Sequence, residues 1–599
     1  MNFRDIIRYR IYTKISRQIV VSIFVLHFYV LPAFGQQIRI STGAYLNIMG
    51  TSYIRIDNGD LINNGAYARG TETVTLSGTT AKTISGSSNT ALYNLVMTNT
   101  GGVVTKLGLL TSNDLTIEAN SKFTIDASKT VTVAGILTNN AGTGGLLVIS
   151  DGTGTASLIH NSNNVPAIVQ RYVSGASEDW HFLSSPVSAQ MIGGSWLPSG
   201  TYGNGTGYDL YLWNEPNNCW IYKLNSTSII NWNTVHPGQN FVAGRGYLYS
   251  LKETNPTKEF AGNLNNGAVS YALTSISSDP TLTGFNLVGN PYPSSIDWSV
   301  ATGWTRSNLV ASGGGYDMWI WNPSAGNYGT CNSNSGSGTN GVTSYIAPMQ
   351  GYFVRAASAG NLVTGNAVRL HTGAGDWKKG ELNPDRLDLV VQSSTDSSYD
   401  EVRLQFGFTI DQNGTAKLFS PVVSAPSLYF SSDRANFTVQ YLTSKIDHPL
   451  IPVMFVPGRD GNYTLQCNFD PTNFETVILE DRQAKNQQNM KASPLYAFSA
   501  FKTDAANRFY LHFNSQNNLS ENKLPATIYS EGSQLIVDLI AVPLETEIIV
   551  YDVIGRKLFQ QNLAGGIRHT LNFNAGNNIS LVSLQNADGT LCRKIVSMR

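Results

Sequence analysis

Short strand-like runs recur at intervals near 20 residues in the first part of the chain. The runs cover residues 73–76, 91–97, 114–117, 122–125, 131–137 and 146–149, and Gly, Asn, Ser and Thr fill the intervals. Short parallel strands stacked along one axis pair with their neighbours and bury their apolar faces only against them. The spacing therefore predicts a right-handed β-helix or related solenoid over residues 36–170. An antiparallel sandwich stays open, because strand spacing alone does not separate the two.

Composition agrees with an all-β chain and excludes some partners. Charged residues are 13% of the 599, about half the usual share. The 40 basic and 40 acidic residues cancel, and the sequence pI of about 7.1 lacks the basic excess of nucleic-acid-binding domains. Runs of helix-forming residues are missing, while turn residues are abundant. We expect three or four β-rich domains and no nucleic-acid partner.

The amino-terminal segment has the pattern of an export signal. Five basic residues precede an apolar run over residues 19–31, and the small residues Ala33 and Gly35 follow it. That run is too short for a stable membrane span, so residues 1–35 are predicted to be a cleaved signal peptide. The first cysteine is Cys219, which argues against a lipid anchor at the cleavage site. No later apolar run reaches roughly 18 residues, so we expect no membrane span in the mature chain.

The composition changes near residue 171, and two further modules follow. All ten Trp lie between Trp180 and Trp377, which predicts a Trp-rich β-sandwich module over residues 171–380. Cys219 and Cys331 fall within it, and the sequence leaves open whether they pair. Apolar alternation over residues 402–408, 437–442, 463–467 and 508–513 predicts an antiparallel sandwich over residues 381–514. Residues 515–523 are a polar linker, where a processing protease would cut.

The C-terminal segment, residues 524–599, is predicted to be a small Ig-like β-sandwich. Residues 535–540 and 547–551 alternate as half-buried strands do, and the second run leads into a turn that starts at Asp552 and ends at Gly555. The nine residues from Val550 to Leu558, with the basic tail 593–596, resemble the type A C-terminal sorting domain of type IX secretion cargo. The chain departs from that family at Ser580, where the family usually has Tyr. An ordinary Ig-like terminal module is the alternative.

The resemblance implies an address and a set of motif residues. The implied sorting residues are Tyr551, Asp552, Gly555, Arg556, Lys557 and Lys594. It also implies that the type IX machinery of Bacteroidota carries the chain through the periplasm to the cell surface or the medium. Residues 83–95 resemble rungs of exported adhesin-like proteins of these bacteria. Residues 180–186, 284–298 and 346–354 resemble a module of their multi-domain exported proteins, and residues 416–418 and 477–481 resemble the module that often precedes the sorting domain.

Motifs that would carry catalysis, cofactors or metals do not emerge from the sequence. The chain has no Gly-x-Ser-x-Gly elbow and no His-Glu-x-x-His pair. The glycines from Gly336 to Gly341 have dinucleotide-loop spacing but no strand-to-helix context, which predicts a hairpin. Two Asp-rich turns, at residues 57–60 and 411–414, lack the Glu that completes a calcium loop. We therefore expect no catalytic residues, no cofactor and no metal site.

Two function classes stay open. The first is an exported, non-catalytic surface or secreted protein that contacts a polysaccharide, extracellular matrix, or a host or neighbouring cell. Aromatic rings in Gly-, Pro- and Asn-rich segments of the Trp-rich module suit sugar stacking, and the candidates are Trp196, Trp213, Tyr202 and Tyr208. The second is a polysaccharide lyase or hydrolase with catalysis on the β-helix, which needs clustered carboxylates. The acids of residues 36–170 do not recur at the rung interval, so the first class is favoured.

Overall fold

The regular secondary structure of the chain is almost entirely β. The computed structural model describes residues 37–177, 179–197, 209–225, 228–236, 238–250, 253–335, 338–371, 385–432, 435–513, 524–531, 534–552, 556–572, 579–587 and 589–596. Strands make up 51% and helix 3%, with a β-solenoid of about six turns and several sandwich-like sheets, so the predicted fold class is confirmed. The described part of the chain contains no helix long and apolar enough to cross a membrane.

Two compact units divide the chain. Unit 1 comprises Met1–Ala311, Gly315–Pro323 and Gly329–Gly380, and Unit 2 comprises Ser312–Gly314, Ser324–Tyr328 and Glu381–Arg599. The predicted signal peptide, residues 1–35, and the predicted linker, residues 515–523, lie outside the described residues.

The solenoid of Unit 1 is built from short parallel strands. Its strands are Ile38–Ile40 (β1), Tyr45–Asn47 (β2), Tyr53–Asp57 (β3), Leu61–Asn63 (β4), Ala66–Ala68 (β5), Thr73–Gly78 (β6), Lys82–Ser85 (β7), Thr90–Leu92 (β8), Asn94–Asn99 (β9), Val103–Thr105 (β10), Leu109–Thr111 (β11), Leu115–Ile117 (β12), Phe123–Ile125 (β13), Thr130–Val133 (β14), Leu137–Asn139 (β15), Leu146–Val148 (β16), Ser150–Asp151 (β17), Gly154–Thr155 (β18), Ser157–Ile159 (β19) and Pro166–Tyr172 (β20). They form three main parallel ladders, β1-β4-β7-β10-β13-β16-β20, β3-β6-β9-β12-β15 and β8-β11-β14-β19.

Stacked side chains fill the solenoid interior. The register pairs Ile84 with Thr105, Thr105 with Ile125, and Ile125 with Val148, and all four side chains are fully buried. The Thr105 hydroxyl donates to the Leu107 carbonyl at 3.2 Å, which satisfies the polar member of this column. Alternation within each run and repetition between runs therefore produce one continuous core.

The solenoid continues into the Trp-rich region without a gap in the core. The predicted border near residue 171 falls inside β20, which pairs antiparallel with the strand Thr257–Leu264. The same hydrophobic cluster contains Leu115 of the solenoid and Leu212 and Tyr247 of the Trp-rich region. The last solenoid strand is thus also a strand of the following module.

Most of the remaining strands of Unit 1 form four small sheets, while Thr257–Leu264 and Val187–Ser188 extend the solenoid ladder that ends at β20. The strands that begin after residue 172 are Trp180–Leu183 (β21), Val187–Ser188 (β22), Asp209–Asn214 (β23), Cys219–Tyr222 (β24), Tyr247–Ser250 (β25), Thr257–Leu264 (β26), Val269–Leu273 (β27), Phe285–Gly289 (β28), Ser295–Asp297 (β29), Trp304–Thr305 (β30), Ala311–Ser312 (β31), Gly315–Asn322 (β32), Asn327–Asn332 (β33), Tyr345–Ile346 (β34), Gly351–Arg355 (β35), Gly360–Thr364 (β36) and Arg369–Leu370 (β37). The helical segments are Trp232–Val235 (α1) and the 3-10 turns Thr143–Gly145, Gly194–Trp196, Glu215–Asn217 and Asn366–Val368. Residues 312 and 327–328 of β31 and β33 belong to Unit 2.

A motif of the Trp-rich region, residues 289–295, has a structural role. The buried Asn290 amide donates to the carbonyls of Ser294 and Ala347 at 2.7 and 2.9 Å. Tyr292 donates from its hydroxyl to carbonyl oxygens of Gly267 and Thr364. These bonds connect the motif to three other chain segments, so its side chains hold the backbone of this region together.

Unit 2 contains a sandwich and a smaller C-terminal module. The strands of the sandwich are Arg386–Ser393 (β38), Tyr399–Gln405 (β39), Gln412–Ala416 (β40), Ser427–Ser431 (β41), Asn436–Tyr441 (β42), Leu450–Val456 (β43), Gly461–Phe469 (β44), Ile478–Asp481 (β45), Asn486–Asn489 (β46), Leu495–Ala500 (β47) and Phe509–His512 (β48). The strands pair antiparallel except β39 with β42, which is parallel, and they enclose one apolar core. The strands of the C-terminal module are Thr527–Glu531 (β49), Gln534–Asp538 (β50), Thr546–Asp552 (β51), Lys557–Leu563 (β52), Arg568–Asn572 (β53), Ile579–Asn586 (β54) and Gly589–Val596 (β55). The sheets β49-β50-β53 and β52-β51-β54-β55 share one cluster of buried apolar side chains.

Candidate functional site

One sheet of Unit 1 carries a face rich in aromatic side chains. In the order β21-β25-β23-β24, Trp180 and Asp209 both pair with Ser250, and Phe182 and Tyr211 both pair with Leu248. Directly paired residues of antiparallel strands point to the same side. The register also pairs Tyr211 with Tyr222 and Trp213 with Trp220. We call this set the aromatic face; its members are Trp180, Phe182, Asp209, Tyr211, Trp213, Trp220 and Tyr222.

The opposite side of the same sheet faces the core. Leu210, Leu212 and Ile221 alternate with members of the aromatic face, and all three are at most 2% exposed. The sheet therefore needs no further cover on that side, and the aromatic face is set on a rigid support.

One end of the aromatic face is packed and ordered. The Trp213 indole N–H donates to the Phe285 carbonyl at 2.6 Å, and the Trp213 ring meets the Trp220 ring edge-on at 5.2 Å. Phe353 packs against both rings. Trp213 and Trp220 remain half-buried, so each keeps part of its ring accessible. These contacts fix the ring planes before any ligand arrives, which lowers the entropy cost of binding.

The other end combines aromatic rings with polar atoms. Tyr211 donates its hydroxyl to Asp209 at 3.0 Å, and the Tyr211 and Tyr222 rings lie 5.1 Å apart. Burial and the Asp209 carboxylate raise the pKa of Tyr222 to about 12, so its hydroxyl stays protonated and remains a donor. Trp180, 38% exposed, lies on the same face. Flat rings beside a carboxylate and phenolic hydroxyls match the alternating apolar and hydroxyl surfaces of a sugar.

Of the four residues predicted to bind glycans, the structure places one on this face. Trp213 is a member, whereas Tyr202 and Tyr208 lie outside the described residues. Trp196 is 1% exposed, donates its indole N–H to the Glu259 carbonyl at 2.8 Å, and packs against Phe260. Its ring has no exposed face for a sugar, so Trp196 is a core residue and not a ligand contact.

The sequence interpretation did not identify four further members of the aromatic face that are at least partly exposed. They are Trp180, Asp209, Tyr211 and Trp220. A signal was present, because Asp209, Tyr211 and Trp213 alternate with Leu210 and Leu212, and period-2 alternation places them on one side of a strand. Trp220 lies on the neighbouring strand, so its place on this face follows only from the pairing of β23 with β24.

The C-terminal turn residues are tied to one another. Asp552 accepts from the backbone N–H of Arg556 at 2.8 Å and from its guanidinium at 3.1 Å. Arg556 and Lys557 are exposed, and Tyr551 is half-buried. Gly555 lies outside the described residues, and nothing is described for the Lys594 side chain. The acid that begins the predicted turn thus holds its far end.

Three carboxylates of the solenoid accept hydrogen bonds from within the solenoid. Asp60 accepts from Thr83 and Asp114 from the N–H of Ile136, while buried Glu72 accepts from the N–H groups of Gly70 and Tyr93. Among the described residues, no group of three His, Cys, Asp or Glu is placed to hold a metal ion. The described cysteines Cys219, Cys331 and Cys467 form no disulfide, and the Cys331 thiol donates to the Asn332 carbonyl at 3.7 Å.

His181, two residues after Asp179 in the sequence, is largely buried. Burial lowers its pKa to about 4, and the nearby Asp179 opposes that shift only in part. The imidazole is therefore neutral at neutral pH. The strand register turns it away from the aromatic face, because its neighbours Trp180 and Phe182 occupy that side.

Comparison with known families places the chain in a class without an assigned activity. The chain belongs to a family described as a domain of unknown function (DUF8693), which matches residues 85–513. The match starts at the end of β7, includes the aromatic face and the sandwich of Unit 2, and ends before the C-terminal module. No curated protein matches the chain.

Proposed function

We propose that this chain is an exported, non-catalytic surface or secreted protein whose aromatic face contacts a glycan. The observation that carries the binding part is that the half-buried rings Trp213, Trp220 and Tyr211 share one face of a preorganised sheet with the exposed Trp180 and with Asp209. Such rings offer stacking area at low entropy cost, and Asp209 with Tyr211 offers hydrogen bonds to sugar hydroxyls.

The export part is supported by the two ends of the chain. The basic and apolar pattern of residues 1–35 is typical of a signal peptide. In the terminal β module, the antiparallel pairing of β51 with β52, the strands on either side of the sorting motif, supports the resemblance to type IX sorting domains. The module lies outside the family match, which is consistent with a separable address. In this proposal Tyr551, Asp552, Gly555, Arg556, Lys557 and Lys594 form the signal read by the type IX machinery.

The binding part is tested by removing single rings. We expect Trp180→Ala and Trp213→Ala each to weaken polysaccharide binding roughly tenfold, equivalent to about 1.4 kcal/mol, in affinity electrophoresis and Trp fluorescence across a polysaccharide panel. Trp304→Ala is the matched control, because Trp304 is also half-buried and also donates its indole N–H to a backbone carbonyl. Equal losses in all three variants, or no binding by the wild type to any polysaccharide, would contradict the proposal.

The export part is tested in cells. A chain truncated after Lys523 should accumulate in the periplasm, while the full chain should reach the surface or medium, as measured by fractionation of intact cells. Unchanged surface delivery of the truncated chain would refute the sorting role. Asp552→Ala, which removes the bonds to Arg556, is the finer variant and should reduce delivery without removing the module.

A further inference from the structure

A cluster of charged and aromatic side chains joins the two modules of Unit 2. The sandwich contributes Glu480 of β45, Arg482 just after it, and His512 of β48, and the C-terminal module contributes Tyr529 of β49 and Arg568 of β53. We call these five residues the clasp.

Arg568 is the central cation of the clasp. Its guanidinium lies 2.6 Å from Asp538 in its own module and 3.6 Å from Glu480 in the sandwich. Glu480 also contacts His512 at 2.7 Å and Arg482 at 3.3 Å. Each of the acids Glu480 and Asp538 is at most 15% exposed at its side chain, so the contact excludes much of the solvent.

A second contact runs beside the first. Arg482 donates to the Tyr529 hydroxyl at 3.3 Å, and its guanidinium lies over the Tyr510 ring. Burial raises the pKa of Tyr529, which is consistent with a tyrosine covered by the neighbouring module. The two modules therefore meet through an ionic contact and a tyrosine–arginine contact.

We propose that the clasp docks the C-terminal module on the sandwich only while the connecting linker is intact. The cations of the clasp, Arg568 and Arg482, keep 24% and 27% of their side chains exposed, and such partly exposed ion pairs contribute little by themselves and are screened by salt. A short flexible tether raises the effective concentration of the partner to the order of millimolar, which lets weak contacts stay formed. Residues 515–523, the polar linker predicted from the sequence, are the covalent connection between the two modules.

Cutting the linker has a direct consequence for the surface of the remaining chain. The sandwich then loses the contact of Glu480 with Arg568 and the contact of Arg482 with Tyr529. The docking itself does not depend on the proposed function, whereas the physiological use of its release rests on the proposed removal of the module after export.

The first test uses the purified chain with a specific protease sequence placed within residues 515–522. Before cleavage, small-angle X-ray scattering should show the module docked. After cleavage at micromolar concentration, sedimentation should show two separate species. Fragments that stay together after cleavage would overturn the dependence on the tether.

The second test breaks the clasp without cutting the chain. Arg568→Gln and Glu480→Gln should each increase the radius of gyration, and the double variant should add little, because both remove the same contact. Arg556→Gln is the control, since Arg556 is 74% exposed on the same module and contacts Asp552. A radius unchanged in both clasp variants, with the thermal unfolding of the module intact, would overturn the docking. These measurements use purified protein, so the docking proposal and the export proposal can each fail without the other.

Discussion

Unit 1 and Unit 2 satisfy their buried charges in different ways. In Unit 1, Glu215 accepts from the backbone N–H groups of Ile276, Ser277 and Gly284 at 2.9–3.1 Å. In Unit 2, Asp388 lies between Arg386 and Arg403, and both arginine side chains are at most 4% exposed. At these two sites, backbone N–H groups compensate the buried acid of Unit 1, and arginine side chains compensate the buried acid of Unit 2.

The difference follows from where the acids lie. Glu215 starts a 3-10 turn, next to chain segments whose N–H groups are not used by a sheet. Asp388 lies within β38, whose backbone is hydrogen-bonded to β39 and β44 on its two sides, so only side chains can compensate its charge. Asp481, at the end of β45 where the ladder stops, pairs with Arg508 at 2.7 Å and also accepts from the backbone N–H groups of Gln483 and Ala484 at 3.1 Å. Dense antiparallel ladders therefore favour buried ion pairs, and turn-rich architecture favours backbone capture.

The largest expected effect comes from removing the buried carboxylate that pairs with two arginines in Unit 2. Asp388→Asn leaves Arg386 and Arg403 buried without their shared carboxylate, so we expect a loss of roughly 3–5 kcal/mol in the free energy of unfolding. Although burial opposes ionisation, Arg403 and Arg386 hold the pKa of Asp388 below its usual value, so the wild-type pair persists well into the acid range. Urea denaturation measures the loss. Asp385→Asn, at a partly exposed ion pair with Lys445, should cost under about 1 kcal/mol, and equal costs would contradict the argument.

The next effect concerns pH and belongs to Unit 1. His371 contacts Thr132 and Ser157 at 2.7 and 2.8 Å, and burial together with Arg369 lowers its pKa to about 4. The unfolded chain binds this proton more readily, so the contribution of His371 is complete above pH 6.5 and is lost as pH falls from 6.5 to 4. The loss is up to about 3 kcal/mol.

Thermal unfolding between pH 7 and 4 checks this prediction. His371→Gln should reduce the pH dependence of the Unit 1 transition in part, because burial lowers the pKa of His160, His181 and His236 to about 4 as well. His569→Gln in Unit 2 should leave that dependence unchanged. An identical slope in wild type and His371→Gln would show that the protonation of His371 is not coupled to folding.

A smaller effect tests capture of charge by the backbone. Glu215→Gln removes the negative charge that three N–H groups surround, and we expect a cost of about 1–3 kcal/mol. Although burial opposes ionisation, these N–H groups, with Gly284 first among them, lower the pKa of Glu215. Glu259→Gln, at an exposed acid bonded to Gln170, is the control for urea denaturation. A cost for Glu215→Gln as large as that for Asp388→Asn would remove the distinction between the units.

The smallest expected effect lies on the solenoid surface. Arg55→Gln removes an ion pair with Asp57 at 3.5 Å, in which the arginine side chain is 72% exposed. We expect a change within about 0.5 kcal/mol by thermal denaturation. A larger loss would mean that the contact of Arg55 with Ser77, at 3.0 Å on the next rung, carries the stability.

Much of the solenoid was predictable because its signal is local. The runs at residues 122–125 and 146–149 correspond to β13 and β16, and their repeat is the distance from Phe123 to its partner Leu146. The handedness of the coil stays a prediction. The pairing of β20 with β26 was not predictable, because it joins residues almost one hundred positions apart, such as Val169 and Phe260.

The candidate site was predictable only in part. Composition concentrated the tryptophans in one module but did not distinguish Trp196 from Trp213, since both lie in segments rich in turn residues. Their surroundings separate them: Phe260 and Lys258 enclose Trp196, whereas Trp213 lies on the accessible side of its sheet. Exposure depends on which distant strand covers a ring.

The sequence by itself determined that the chain is β-rich, that its first part repeats, and that its charges are few and balanced, because alternation, repeat length and composition are properties of neighbouring residues. Only the tertiary structure decided which rings face outward and which acids meet backbone or arginine. Those outcomes depend on strand register and on contacts between residues far apart in the chain, such as Glu215 with Gly284.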